Sequence, residues 1–151
     1  MNRIVLAADH AGFRLKERIA EHLKEKGITV EDLGCYDESS VDYPEISKKM
    51  ALALENTPED RGVLCCGSGI GVCMSVNRFP WIRAAVTHDH NTAKMSRRHN
   101  DSNVICMGGR VIAPELACDL IDTWLSTPFD GGRHEQRVQM MSNLQEAPSS
   151  C

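Results

Sequence analysis

A chain of 151 residues is long enough to bury a core and short enough to be one domain, 1–151, with a polar tail over about 147–151. Its 42% hydrophobic and 25% charged residues suit a globular α/β protein, and a formal net charge of −4 excludes the global basic field of a nucleic-acid binder. No apolar run approaches the roughly 18 residues of a membrane span, and Asp9 and His10 interrupt the first apolar run too early for a secretory leader.

In chain order, RIVLAAD at 3–9 is a short strand. FRLKERIAEHLKEKG at 13–27 carries apolar residues at 13, 15, 19, 20 and 23, a helical period that Gly27 stops. ITVEDLG at 28–34 is a second strand, and Pro44 opens a helix to about Leu54, where the missing N–H of proline costs little. RGVLCCG at 61–67 is a nearly all-apolar third strand, followed by a helix near 70–79. IRAAVT at 82–87 is a fourth strand leading to a helix through KMSRRH, and NVICMG at 103–108 is the fifth. Pro114 starts another helix, and 133–146 makes the last. Continuous apolar strands alternating with helices predict a parallel sheet covered on both faces.

Ligands of such sheets bind beyond the carboxyl ends of the strands. Strand one ends there in Asp9-His10, strand three in Cys66-Gly67-Ser68-Gly69, and strand four in Thr87-His88. Gly67, Gly69 and Gly71 lie between a strand and a helix, so turn amides can face an anion or a developing oxyanion; a plain tight turn is the bland alternative. A dinucleotide fingerprint is a poor match because its third glycine comes one residue early and at the wrong strand, but Asp89, about twenty residues on, keeps that reading weakly open. A Walker loop fails because no Lys-Ser or Lys-Thr follows.

The seven cysteines are an odd set in strand-like and helix-like surroundings, which fits free thiols in a reducing cytoplasm; Cys151, in the tail, reads as an exposed, incidental thiol. Adjacent strand residues face opposite ways, so Cys65 belongs to the core while Cys66, at the turn, meets the ligand. A helix N-terminus there would lower its pKa. Zinc spacing is absent, His88-x-His90 reads as a polar loop, and no metal is expected. A cysteine-phosphatase loop lacks its arginine. His22 reads as solvated, His99 as a helix C-terminal cap, and His10 as a site candidate. Arg133 and Arg137, spaced by four around His134, share a helical face; a solvated charged face is the bland alternative, and the two glycines before them slightly favour a phosphate clamp.

Taken together, D-H at 9–10, D-Y-P at 42–44, C-G-S-G-I-G at 66–71, R-H-N-D-x-N-V at 98–104, G-x-R at 108–110 and G-G-R-H-x-x-R at 131–137 resemble the type B ribose-5-phosphate isomerase family. That family also contains galactose-6-phosphate and allose-6-phosphate isomerases, and the resemblance runs nearly end to end. It implies a three-layer α/β/α Rossmann-like sandwich with a five-stranded parallel sheet. It also implies a cofactor-free homodimer or homotetramer, in the cytoplasm, with sites shared between subunits. By resemblance, Cys66 is the base moving a proton between C2 and C1, His99 opens the sugar ring, and Ser68 keeps the hydroxyl where many members have threonine. Asp9, Tyr43 and Asn100 contact hydroxyls; His10, Arg110, Arg133 and Arg137 hold phosphate; Gly67, Gly69 and Gly71 line the enediolate. Some relatives use a glutamate where this chain has Val72, so this is a cysteine-base member.

The chemistry is coherent with that resemblance. Aldose–ketose isomerisation needs a base, stabilisation of an enediolate and a remote anchor, and one preorganised oxyanion donor is worth ~2.7–4 kcal/mol. The leading expectation is interconversion of ribose 5-phosphate and ribulose 5-phosphate. Six-carbon sugar phosphates are the nearest alternative; a cysteine hydrolase pairing Cys66 with His99, or a non-catalytic nucleotide-binding module, are the more distant ones.

Overall fold

The structure, a computed structural model, describes residues 3–144. The elements in order are β1 (Ile4–Ala8), α1 (Phe13–Glu25), β2 (Val30–Asp32), α2 (Tyr43–Leu54), β3 (Arg61–Cys66), α3 (Ile70–Val76), β4 (Ala84–Val86), α4 (His90–Arg98), β5 (Val104–Gly108), α5 (Pro114–Ser126) and α6 (Arg133–Ser142). The five strands pair in parallel in the order β2-β1-β3-β5-β4.

Strand alternation divides the core in two. Ile4, Leu6, Ala8, Val63, Cys65, Ile105 and Met107 face one side and pack with Leu15, Ile19 and Leu23 of α1, Ala93 of α4, and Leu120, Ile121 and Trp124 of α5. Val5, Ala7, Leu64, Cys66, Val104 and Cys106 face the other and pack with Ile46, Met50 and Leu54 of α2 and Val72 and Val76 of α3. Both sheet faces are therefore helix-covered, giving the expected α/β/α layers. Each fully buried aliphatic side chain contributes about 1.5–3 kcal/mol of transfer free energy.

The edge strands are shorter than the apolar pattern predicts. β2 and β4 each have a neighbour on one side only, so pairing ends where that neighbour turns away. α6 ends at Ser142, short of 146, and the polar tail and Cys151 lie outside the described residues.

Two side chains on α1 are more buried than their residue types suggest. Lys16 lies in register with the buried residues of α1 and is itself wholly buried, its Nζ bonded to Glu17 at 2.8 Å and to Asp32. His22, expected to be solvated, is half-buried and places Nε2 3.0 Å from Asp122, so it ties α1 to α5. The charged residues around it in sequence belong to the solvent side; the helix turns His22 toward α5.

The strand order positions the site. From β1 the chain first steps outward to β2, then reverses across β1 to β3, so the loops after β1 and β3 leave the sheet in opposite directions and open a crevice between them. Asp9-His10 and the Cys66–Gly71 turn are those two loops. Gly12 makes the crevice possible: a Cβ there would stand 2.4 Å from the backbone carbon of Cys65.

Candidate active site

Beyond the ends of β1, β3 and β5 lies a cavity of about 440 Å³ lined by Asp9, His10, Ala11, Tyr43, Cys66, Gly67, Ser68, Gly71, Arg110 and Val111. Eight of these were candidates from the sequence, brought together by the crossover.

At its floor Cys66 is the last residue of β3 and 5% exposed. The Gly69 amide donates to Cys66 Sγ at 3.0 Å, and the Ile70 amide donates to Ser68 Oγ at 3.2 Å. Gly69 can aim its N–H this way because it adopts φ 80°, in the left-handed region, where a Cβ would also stand 3.0 Å from the backbone of Met107. Its amide is thus engaged by sulfur, which corrects the expectation that Gly69 faces an enediolate. Gly71, second residue of α3, keeps an amide that helix geometry leaves unpaired. A side chain there would press on the Tyr43 ring, since a Cβ would stand 3.0 Å from it. Cys65, on the opposite face, is entirely buried, and burial pushes its thiol far up, so it is inert core as expected.

Asp9 is 7% exposed and accepts from the amides of Ala11 at 2.9 Å and Gly12 at 3.0 Å through Oδ1, which leaves Oδ2 for another partner. His10 Nδ1 accepts from the Val41 amide at 3.3 Å, so the other ring nitrogen, Nε2, carries the proton. The loop before α2 therefore sets the histidine tautomer, a role the sequence did not signal. Arg110 follows β5, lies 3.5 Å from the Cβ position of Gly67, and makes no ion pair among the described residues. An uncompensated guanidinium at a cleft rim is an anion holder.

His99, Asn100 and Arg137 are not in this cleft. They line a second cavity of about 290 Å³ with His134, Val138 and Met141. The reason is topological: α4 runs back along the sheet, so His99 at its C-terminus sits just before β5 begins, while Cys66 pairs with Gly108 where β5 ends. The intervening strand rises about 13 Å. One chain thus carries two separate half-sites. In the second, the His99 and His134 rings stack with centroids 4.3 Å apart and planes 8° from parallel. Asp130 faces the pair and is gripped by Arg98, whose Nε lies 3.0 Å from each carboxylate oxygen. The hydrogen bond from Arg98 holds the Asp130 carboxyl below its ordinary value. Donor atoms of His99, Asp130 and His134 lie within 4.8 Å of one another, a grouping that motif spacing did not reveal. With its carboxylate held by a guanidinium and two more arginines beside it, the cluster is built for acid–base and anion chemistry. Arg133 opens α6 exposed; its charge reaches His134, but it lines neither cavity.

Other candidates fall away. Asp89, which kept a dinucleotide reading open, caps α4 by accepting from the Thr92 amide at 2.8 Å. His90 turns to Thr123 Oγ1 at 3.1 Å and forms no pair with His88. Thr87 and His88 end the edge strand β4, beyond β5 and away from the cleft.

Known proteins share this fold. The profile of the Ribose/Galactose Isomerase family matches residues 4–141. The chain belongs to the ribose/galactose isomerase family. A relative named ribose-5-phosphate isomerase B, from Escherichia coli strain K12, is 40% identical over 146 residues, covering 97% of this chain and 98% of that one. The Clostridium thermocellum ribose-5-phosphate isomerase B structure superposes with TM-score 0.93 at 42% identity, covering 95% of this chain and 97% of that one. A Mycoplasma genitalium ribose-5-phosphate isomerase B structure, described with bound ribulose-5-phosphate, has TM-score 0.91 at 35% identity and covers 97% of each chain. The sheet order and layers described above are thus those of an isomerase fold at high coverage.

Proposed function

We propose that this member of the ribose/galactose isomerase family interconverts D-ribose 5-phosphate and D-ribulose 5-phosphate by proton transfer through an enediolate, with no cofactor. The observation that carries the reading is Cys66 on the floor of a cleft that Asp9, His10 and Ser68 also line, with a backbone amide aimed at its sulfur 3.0 Å away and Arg110, which makes no ion pair among the described residues, at the rim. The substrate named for the Mycoplasma relative fits that combination.

In this mechanism Cys66 removes the proton from C2 and returns it to C1. Ser68 Oγ and the free amides of the turn, among them that of Gly71, receive the enediolate oxygens, each donor worth ~2.7–4 kcal/mol in the transition state. Asp9 Oδ2 and the Tyr43 hydroxyl orient chain hydroxyls. His10 through Nε2–H and Arg110 hold phosphate, so remote binding energy fixes C2 near sulfur.

His99, Asn100 and Arg137 complete the site from a second subunit, with Arg133 beside them. The support is the pair of incomplete half-sites in one chain, together with exposed apolar residues Ile70, Met74 and Val111 next to the cleft. We read residues 1–151 as one domain acting as a homodimer or a pair of such dimers. The six described cysteines carry no disulfide, which suits a cytoplasmic setting, and no described helix is long and apolar enough to cross a membrane.

The test is a coupled assay with ribose 5-phosphate, allose 6-phosphate and galactose 6-phosphate on wild-type protein and Cys66→Ala. Turnover of ribose 5-phosphate should exceed that of the longer sugars. Cys66→Ala should lose turnover while still binding a phosphate-bearing substrate analogue. A Cys66→Ala variant with near-normal rate would show that the base is another group.

A further inference from the structure

Ring opening of a sugar phosphate is a two-proton event on oxygens that share one carbon. The anomeric hydroxyl must lose a proton as its electrons form the carbonyl, and the ring oxygen must gain one as the C1–O4 bond breaks. A single imidazole serves one of these transfers at a time. In this chain His99 does not stand alone. The His134 ring stacks on it at 4.3 Å, both rings are partly buried, and both line the same cavity with Asn100 and Arg137. Two ring edges one stacking distance apart can each reach one oxygen of a hemiacetal.

Resting on the isomerase reading above, we infer that His134 is the second acid–base group of ring opening: neutral His134 takes the anomeric O1 proton while the His99 imidazolium protonates the ring oxygen. The O1–H electrons become the second bond of C1=O. The C1–O4 electrons pass to O4, which receives the proton from His99. One proton enters the pair and one leaves it, so its total charge is unchanged, and transfer between the rings or through water resets it.

The surroundings favour this division of labour. Partial desolvation comes first, then the charges of His99, Arg133 and Arg137; together they hold His134 below the ordinary histidine value, against Asp130. Asp130 is itself occupied by Arg98, which weakens its pull on His134. His134 is therefore suited to begin the step without a proton. It sits at the start of α6, after Gly131 and Gly132 with φ of 63° and 56°, a turn that swings the helix toward the end of α4.

The experiment exploits a difference between the two substrates. Ribose 5-phosphate must open its ring before isomerising. Ribulose 5-phosphate has its C5 oxygen phosphorylated, cannot close a furanose, and is already open. His134→Gln in the full chain removes the proton-accepting nitrogen and keeps a polar side chain. Its kcat with ribose 5-phosphate should fall roughly 10²–10⁴-fold, while deuterium uptake at C1 of ribulose 5-phosphate in D2O, followed by NMR, stays within about threefold of wild type. Retained exchange also shows that the variant is folded. A parallel loss of both activities would make His134 a substrate-binding or structural residue, and an unchanged forward rate would remove it from ring opening; either overturns the assignment. Wild-type protein that neither turns over ribose 5-phosphate nor exchanges ribulose 5-phosphate would overturn the isomerase reading itself, and the role of His134 with it.

Discussion

Cys66 and His99 lie at opposite ends of the sheet within one chain, and that separation makes a quantitative test of a shared site. Consider Cys66→Ala and His99→Ala, each expected to be inactive alone because every composite site then lacks one group. When both are expressed in equal amounts and pair at random, about half the dimers are mixed. In a mixed dimer one site carries both substitutions, and the other combines intact Cys66 with intact His99. One working site in two, in about half the dimers, gives about a quarter of wild-type activity per protein. The assay is the isomerase rate of tandem-affinity-purified protein with a different tag on each variant; purified mixed dimers alone should reach about half of wild type. Mixed dimers that form and remain inactive would place His99 within its own subunit's chemistry, or outside the chemistry altogether. Since about 13 Å of strand separates the two residues in one subunit, the first of these would also require a large rearrangement of α4.

Other consequences concern stability. Lys16→Ala removes a wholly buried stem and the partner of Asp32, and should cost about 2–4 kcal/mol in urea unfolding, whereas Lys16→Met keeps the stem and should cost less than half of that. A loss under about 1 kcal/mol for the alanine would mean the Lys16 contacts are incidental. Gly12→Ala drives a methyl into the Cys65 backbone at 2.4 Å and should cost about 1–3 kcal/mol together with much of the activity, because β3 must shift at Cys66; Gly27→Ala, with φ 72° and open space, should cost about 1 kcal/mol and leave activity intact. At Asp122, partial burial raises the carboxyl, but hydrogen bonds with Lys26 at 2.6 Å and His22 at 3.0 Å outweigh it and leave the group below its ordinary 3.8. A depressed carboxylate stabilises the fold above its unfolded value and loses that contribution as pH falls through the folded one. Asp122→Asn should therefore be less stable than wild type by under about 1 kcal/mol at pH 7, with a gap that closes in acid below 3.8; a gap constant down to pH 2 would refute the ion pair.

The cleft was legible because its residues sit at strand ends, where periodicity alone predicts position. Cys65 and Cys66 separate to opposite faces by the two-residue repeat, and the Asp9 and Cys66 loops meet because the crossover must reverse somewhere. What the sequence concealed depends on directions that residue type does not encode. Lys16 reads as polar, yet it stands three residues before Ile19 and four before Ala20, on the buried stripe, where Asp32 of β2 and the adjacent Glu17 make its burial tolerable. The His99–His134 stack joins residues thirty-five apart through a glycine turn whose left-handed backbone sets the approach of α6. Val41 contributes through its amide, and a backbone donor leaves no mark in residue identity.

α6 carries the tension that remains in one subunit. It has ten residues and buries none of them, while Met140 is 62% exposed and Met141 41%. Helices of that length are marginal in water without a packed face. Yet α6 presents His134 and Arg137, groups whose proposed work demands fixed positions. A second subunit resolves both difficulties at once in the proposed dimer. Docking of the apolar side of α6 would supply the burial that the helix lacks, and the same docking would carry its basic side to the open mouth of the partner's Cys66 cleft. On this reading, order in α6 and completeness of the active site rise and fall together with dimer concentration. Activity per subunit should then decline on dilution in step with loss of helical signal from α6, whereas a site complete within one chain would show no such coupling.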